Sequence, residues 1–404
     1  MAVKRFLLIP LLIVALVGCT ALSAGPSDAE PGPGAPPAGG PGAGPQNGGT
    51  DPGLQNGGAE DGGQGAGNGA GDHPGSGSAG GPDDAPGSSP GSGAGTGGGD
   101  GTVTITFVGD IMLDRLPGEY LARGEDPFAG VADALTGADL TVGNLECVVS
   151  TVGEPVPKWF NFRCHPRVVP VLARYFDAVS VANNHSGDYG KEAFAEQLRL
   201  LTEGGVPYFG GGMNDEEAHR PLILERNGLR IALLGYNNVE LRSYAAGPDT
   251  PGLAWIELDR LAADVRAARA EADIVVVYPH WGYDYMFWHA EDQAEIARVA
   301  IDNGADLVVG NHPHVTQPVE IYKDRLIAYS LGNFVFDDFV DVGPDLDEPS
   351  RTSWVLTVTI GKDGIRRWET RVARTDDRGF PQWLEGVASP CSDGAPEDGY
   401  MCYP

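Results

Sequence analysis

From residue 101 to about residue 375 the sequence predicts one α/β domain of ordinary size, and three observations predict it. Apolar runs of strand length alternate with segments of helical periodicity, the order that crossovers between parallel strands produce. Later runs follow one another through tight turns without intervening helices, which adds antiparallel pairing and makes the sheets mixed. Five of the runs end in Asp, Glu, Asn or His, and open α/β sheets place their sites at the carboxyl ends of their strands.

The elements follow in order, strands from apolar runs bounded by turn residues and helices from apolar residues three or four apart. A strand over 103–108 leads to a helix around 128–135, a strand over 140–142, a helix near 168–175, a strand over 178–181 and a helix over 192–203. A second series has strands over 222–225 and 229–234, a helix over 258–271, a strand over 274–278, a helix over 291–303 and a strand over 307–309. The runs at 319–322, 326–330, 354–360 and 365–372 read as antiparallel strands joined by turns such as Lys362-Asp363-Gly364. Residues 376–404 read as a C-terminal tail with room for a disulfide.

The first hundred residues contribute nothing to a core. Lys4 and Arg5 precede the apolar run from Phe6 to Val17, short for a membrane span and of the right length for a signal-peptide core. It ends in Leu16-Val17-Gly18-Cys19, which resembles a bacterial lipobox, so Cys19 is the expected lipidation site; simple cleavage near Ala21 to Ala24 is the alternative. Residues 20–100 are dominated by Gly, Pro, Ala, Ser, Asn and Asp, and from about residue 24 carry no Phe, Tyr, Trp, Lys or Arg. Such a segment cannot offset its ordering entropy and reads as a disordered linker, reaching on the order of 50 Å from its anchor. The expectation is an exported protein, lipid-anchored at the outer face of the cell membrane.

The formal charge is −29, of which −7 falls in the first hundred residues (two Lys/Arg against nine Asp/Glu) and −22 in the rest (25 against 47). A surface this acidic argues against nucleic acid and against adhesion to anionic lipid. Besides Cys19 there are four cysteines, Cys147, Cys164, Cys391 and Cys402, which allow three pairings in an exported protein; local pairing is the simplest.

The chemistry gathers at the run ends. Asp110 follows Phe107-Val108, Asn144 and Glu146 follow Leu140-Thr141-Val142, Asn184 and His185 follow Val179-Ser180-Val181, and His280 closes the run from Ile274. Gly310-Asn311-His312-Pro313-His314 follows Leu307-Val308-Val309 and puts two imidazoles two residues apart. Neutral imidazole is a common ligand for zinc, manganese and iron. Taken singly, Asp110 and Asn184 are also good turn residues and His280 beside Trp281 a plausible core histidine, but convergence at strand ends describes one metal centre.

Gly109-Asp110-Ile111-Met112-Leu113-Asp114-Arg115, Gly143-Asn144-Leu145-Glu146, the segment from Ala182-Asn183-Asn184-His185 to Asp188-Tyr189-Gly190, His280-Trp281-Gly282, the His312/His314 segment and Ser330-Leu331-Gly332-Asn333-Phe334 are similar to the ordered motifs of the CapA family of poly-γ-glutamate capsule biosynthesis proteins, over about residues 102 to 370. That family resembles calcineurin-like metallophosphoesterases, and the resemblance implies a four-layer α/β/β/α sandwich with mixed sheets. It further implies one divalent ion (Mn, Fe or Zn) on Glu146, Asn184, His280 and His312, and a second on Asp110, Glu146 and His314. His185 is implied as the proton donor to a leaving group, with Asp188 orienting its ring.

Two departures stand out. Met112 occupies the place of a histidine ligand, and thioether is a poor ligand for a hard dication, so either Asp114 compensates or the site holds one ion. Glu146 stands where aspartate is usual. Arg115, Lys158 and Arg163, with Lys191 nearby, are candidate contacts for substrate carboxylates or phosphates, or else solvated charge. The aromatic cluster Trp281, Tyr283, Tyr285, Phe287 and Trp288 either lines the cleft or packs beneath it. Three functions stay open: a metal-dependent hydrolase or transferase acting on an anionic polymer or its precursor, a metal-independent acid/base enzyme of epimerase type, and a non-catalytic polymer-binding accessory of a membrane synthase complex.

Overall fold

A computed structural model describes residues 101–337, 343–387, 390–392, 399 and 401–403. The expected signal peptide (1–19), Cys19 and the linker (20–100) lie outside the described residues. Among the described residues the main sheets hold eight and seven strands. The first runs Pro381–Trp383, Gly364–Thr375, Thr352–Gly361, Thr102–Ile111, Leu140–Leu145, Ala178–Ser180, Tyr208–Phe209, with Asn333–Val335 paired beside Thr102–Ile111. The second runs Met401–Cys402, Val319–Tyr322, Arg325–Ala328, Leu307–Val309, Ile274–His280, Leu229–Asn237, Leu222–Arg226.

Period-two alternation divides each strand between two cores. Ile105, Phe107, Val142 and Leu356 of the first sheet meet Leu233, Val276, Leu307 and Leu326 of the second in one buried apolar layer. The opposite face of the first sheet packs Val179 and Val181 against Leu172, Phe194 and Leu198 of helices Val169–Tyr175 and Gly190–Glu203. The opposite face of the second packs Leu234, Val275 and Val277 against Leu261, Val265 and Ala297 of helices Leu258–Glu271 and Glu291–Asp302. The result is the four-layer α/β/β/α sandwich with mixed sheets. Burial on both faces explains why Ile274 to Val277 is uninterrupted aliphatic sequence.

The structure differs from expectation mostly at element ends. The helix around 128–135 is a 3-10 turn, Ala129–Val131, followed by Ala132–Gly137. The strand over 326–330 is Arg325–Ala328, and the strand over 274–278 continues to His280, which carries the imidazole into the site. Residues beyond 375, expected as a tail, add an edge strand to each sheet. Disulfides join Cys147 to Cys164 and Cys391 to Cys402, the local pairing. No helix among the described residues is long and apolar enough to cross a membrane.

Parallel pairing of Thr102–Ile111 with Leu140–Leu145, and of Leu229–Asn237, Ile274–His280 and Leu307–Val309, brings the carboxyl ends of these strands together. The register shifts beside Asp110, a bulge of the kind that re-aims a side chain. Gly109 makes this possible: a Cβ there would stand 1.8 Å from the Gly332 carbonyl, which accepts the Asp110 N–H at 3.0 Å. Gly109→Ala is expected to destabilise the domain by on the order of 3 kcal/mol, seen as a lower urea midpoint. An unchanged midpoint would disprove the close approach.

Candidate metal centre

Glu146 is the centre of the site. It follows strand Leu140–Leu145, is fully buried, and neither carboxylate oxygen meets a hydrogen-bond donor among the described residues. Burial, and then the facing Asp110 carboxylate, push its pKa well above the usual range. Three imidazole nitrogens surround Glu146 Oε1 at 3.8 Å: Nε2 of His185, His280 and His314. Ligand atoms of Asp110, Glu146 and His280 lie within 4.8 Å of one another, as do those of Glu146, His312 and His314. These two groups share Glu146, but they pair the histidines differently from the two sets implied by the resemblance.

Neighbouring side chains orient the donors. Asn144 Nδ2 donates to Asp110 Oδ1 at 2.8 Å and lies 3.3 Å from His280 Nδ1; Asn183 Nδ2 donates to Asn144 Oδ1 at 3.1 Å. His280 Nε2 faces Asn184 Oδ1 at 2.8 Å. His314 Nδ1 is held by Asn333 Oδ1 at 2.8 Å, with Asp110 Oδ2 at 3.4 Å, which turns Nε2 toward Glu146. His312 Nε2 lies 3.2 Å from Asp284, and its buried Nδ1 has no hydrogen-bond partner among the described residues. His312 and His314 adopt φ of +99° and +58°. Such backbone costs about 1–3 kcal/mol per residue and persists where the surroundings demand a particular side-chain direction.

Burial, reinforced by the neighbouring rings, lowers the pKa of His280 well below the ordinary value and that of His312 to about 3, so both rings are neutral and able to ligate at neutral pH. For His314 burial is the largest single influence and pulls downward, but the hydrogen bond and charge of Asp110 outweigh it and the pKa is raised. The donor set fits a divalent ion: an orphaned buried carboxylate, a second carboxylate facing it, neutral imidazoles and an amide oxygen suit Mn, Fe or Zn better than Ca or Mg.

Beside the cluster, His185 Nδ1 bonds Asp188 Oδ2 at 2.7 Å, and its ring stacks on Phe162 at 4.1 Å. Lys158 Nζ pairs with Asp188 Oδ1 at 2.8 Å and Glu240 Oε2 at 2.9 Å. Burial raises Asp188 to about 7 against the pull of Lys158, and burial followed by Lys158 depresses His185 well below its usual range. An ionised Asp188 accepts from Nδ1–H, which leaves the Nε2 lone pair facing the cluster. Neutral His185 can therefore take a proton there and give it back.

A cavity of about 270 Å³ opens over the cluster, lined by His185, His314, Asn184, Phe162, Tyr285 and Asp284, with Lys158, Glu240, Trp159 and Phe160 completing its wall. Trp281 packs beneath, fully buried, while Tyr283, Phe287 and Trp288 are exposed. Lys158 reaches the cavity with its charge already paired. Arg115 and Arg163 do not line it. Arg115 pairs with Asp337, Arg163 stacks on Tyr189 at 3.7 Å, and both border a separate cavity with Asp114. Asp114 accepts the Arg163 N–H at 2.8 Å, and Met112 sits in the apolar core, so neither belongs to the two ligand groups. Sequence reasoning assigned no role in the site to Asn183, Glu240, Asp284 or Asn333; only the Asn-rich motif hinted at the amides.

The family model described as "Bacterial capsule synthesis protein PGA_cap" matches residues 104–338. The chain is 34% identical over 244 residues to the PGA biosynthesis protein CapA of Bacillus subtilis (strain 168), covering 59% of this chain and 64% of that protein. It is 33% identical over 246 residues to the capsule biosynthesis protein CapA of Bacillus anthracis, covering 58% and 60% respectively. The match thus spans less than two thirds of the length of these relatives. Among solved structures, the 5'-nucleotidase precursor from Thermus thermophilus superposes with a TM-score of 0.44 at 13% identity, covering 70% of this chain and 56% of that one. By the family match, which takes in Asp110, Glu146, Asn184, His280, His312 and His314, the chain belongs to the PGA_cap family of bacterial capsule synthesis proteins.

Proposed function

We propose that this protein is an exported, lipid-anchored enzyme that hydrolyses or transfers an ester, phosphoester or amide group during synthesis, export or anchoring of poly-γ-glutamate, alongside a membrane synthase complex. The observation that carries the reading is Glu146, a buried carboxylate without a donor among the described residues, ringed by imidazoles. Asp110, Glu146, Asn184, His280, His312 and His314 would hold one or two divalent ions, which supply Lewis-acid polarisation of the scissile group. His185 Nε2 accepts a proton from the attacking group and returns it to the leaving group, while Asp188 fixes the ring. Phe162 and Tyr285 wall the cavity, limit water and strengthen each polar contact inside it.

The test is turnover by full-length protein loaded with Mn, Fe or Zn, across ester, phosphoester and γ-glutamyl amide substrates. His185→Ala is expected to lower the rate by about 100-fold or more with metal content unchanged. Equal rates would remove His185 from the proton transfer, and no turnover on any substrate class would make the protein a polymer-binding accessory instead. For the anchor, Cys19→Ser is expected to move the protein out of the membrane fraction or leave it unprocessed; an unacylated mature N-terminus in the wild type contradicts lipidation.

A further inference from the structure

A second cavity of about 210 Å³ lies beside the candidate centre, walled by Val156, Phe194, Leu253 and the Tyr244 ring, with Lys191 on its lining and Ser243 at an exposed position. It adjoins the first through short links. Val156 N–H bonds the Asp188 carbonyl at 2.8 Å, and the Tyr244 ring stands 6.0 Å from Lys158 Nζ. Glycines let its walls approach one another: a Cβ at Gly187 would meet the Tyr244 ring at 2.3 Å, and one at Gly252 the Tyr244 carbonyl at 2.4 Å.

Its polar groups are few and specific. Lys191 Nζ donates to the carbonyls of Tyr244 at 3.1 Å and Ala245 at 2.8 Å, and no carboxylate pairs with it among the described residues. An ammonium has three donors, so one remains. In a chain of net charge −29, a half-buried lysine without an acidic partner is an exception. The Tyr244 side chain is buried, and its hydroxyl has no hydrogen-bond partner among the described residues.

We propose that this cavity is a carboxylate subsite that takes a short aliphatic acid of glutamyl size, its methylene arm against Val156, Phe194 and Leu253 and its carboxylate on Lys191. The apolar walls suit methylene groups and exclude a hydrated inorganic anion, one spare ammonium donor matches one carboxylate group, and the volume falls below the roughly 300–1,000 Å³ of pockets for larger ligands. The proposal rests on the reading of the protein as one that handles an acidic polymer, and supplies the contact that places one unit of it beside the cluster.

Calorimetric titration of the full-length protein with glutarate tests this. Glutarate is expected to bind, inorganic phosphate and glutaramide not to displace it, and Lys191→Gln, which keeps a donor for the carbonyls but removes the charge, to weaken binding about tenfold or more. Ser243→Trp should block the cavity without touching Lys191, and so guards against a folding artefact. Glu146→Gln should bind glutarate like the wild type even if the metal reading fails. Unchanged affinity in Lys191→Gln, displacement by phosphate, or loss of binding in Glu146→Gln alone would overturn the subsite.

Discussion

His312→Ala/His314→Ala is expected to lower the affinity for Mn, Fe or Zn by on the order of 100-fold or more, since loss of even one outer-sphere partner of a metal ligand typically costs 10–100-fold. Both rings follow strand Leu307–Val309 and belong to none of the three apolar clusters, so the sheets should survive the change. The two positive-φ residues sharpen the test. His312→Gly/His314→Gly should bind as little metal as the alanine pair yet be more stable than it by about 1 kcal/mol or more, because glycine adopts that backbone without strain. Elemental analysis and urea unfolding of both variants check the pair. Full metal content in either would remove these histidines from the centre.

Glu146→Gln is expected to be more stable than the metal-free wild type by about 1–3 kcal/mol, because it replaces a buried carboxylate that has no donor among the described residues and faces Asp110. Linkage gives the sign. The folded pKa of Glu146 is raised above the unfolded value, so metal-free wild type loses stability as pH rises from the ordinary glutamate range through the raised value, and Glu146→Gln lacks that loss. Added metal should reverse the order. The wild type gains about 4 kcal/mol at a thousandfold excess over Kd, and the variant gains little. Thermal unfolding across pH, with and without metal, distinguishes this from a structural role, for which Glu146→Gln would be destabilising under every condition.

Much of the fold was legible because strands buried on both faces leave uninterrupted aliphatic runs. What escaped had no such signal. Helix Arg115–Ala122 contains Pro117 and Gly118, which mask its periodicity, and the strand pairs Val148–Val149 with Arg163–Cys164 and Gly211–Gly212 with Gly252–Leu253 are too short to show a period. The candidate ligands were legible because they end strands. Side-chain direction was not: Arg115 and Arg163 flank the motifs in sequence yet turn to Asp337 and Tyr189. Asn333 came within reach of His314 only through the parallel pairing of Asn333–Val335 with Thr102–Ile111. Asp284, 59% exposed, reads in sequence as an ordinary surface carboxylate.

The most direct measurement is the number of transition-metal ions held per chain by purified full-length protein after equilibration with Mn, Fe and Zn in turn and removal of free ion. With Met112 in the place of a ligand and Asp114 bound to the Arg163 backbone, a value nearer one than two is expected, falling to background in Glu146→Gln. Retention of no ion by the wild type, or of the same number by Glu146→Gln, would contradict a metal centre built on Glu146.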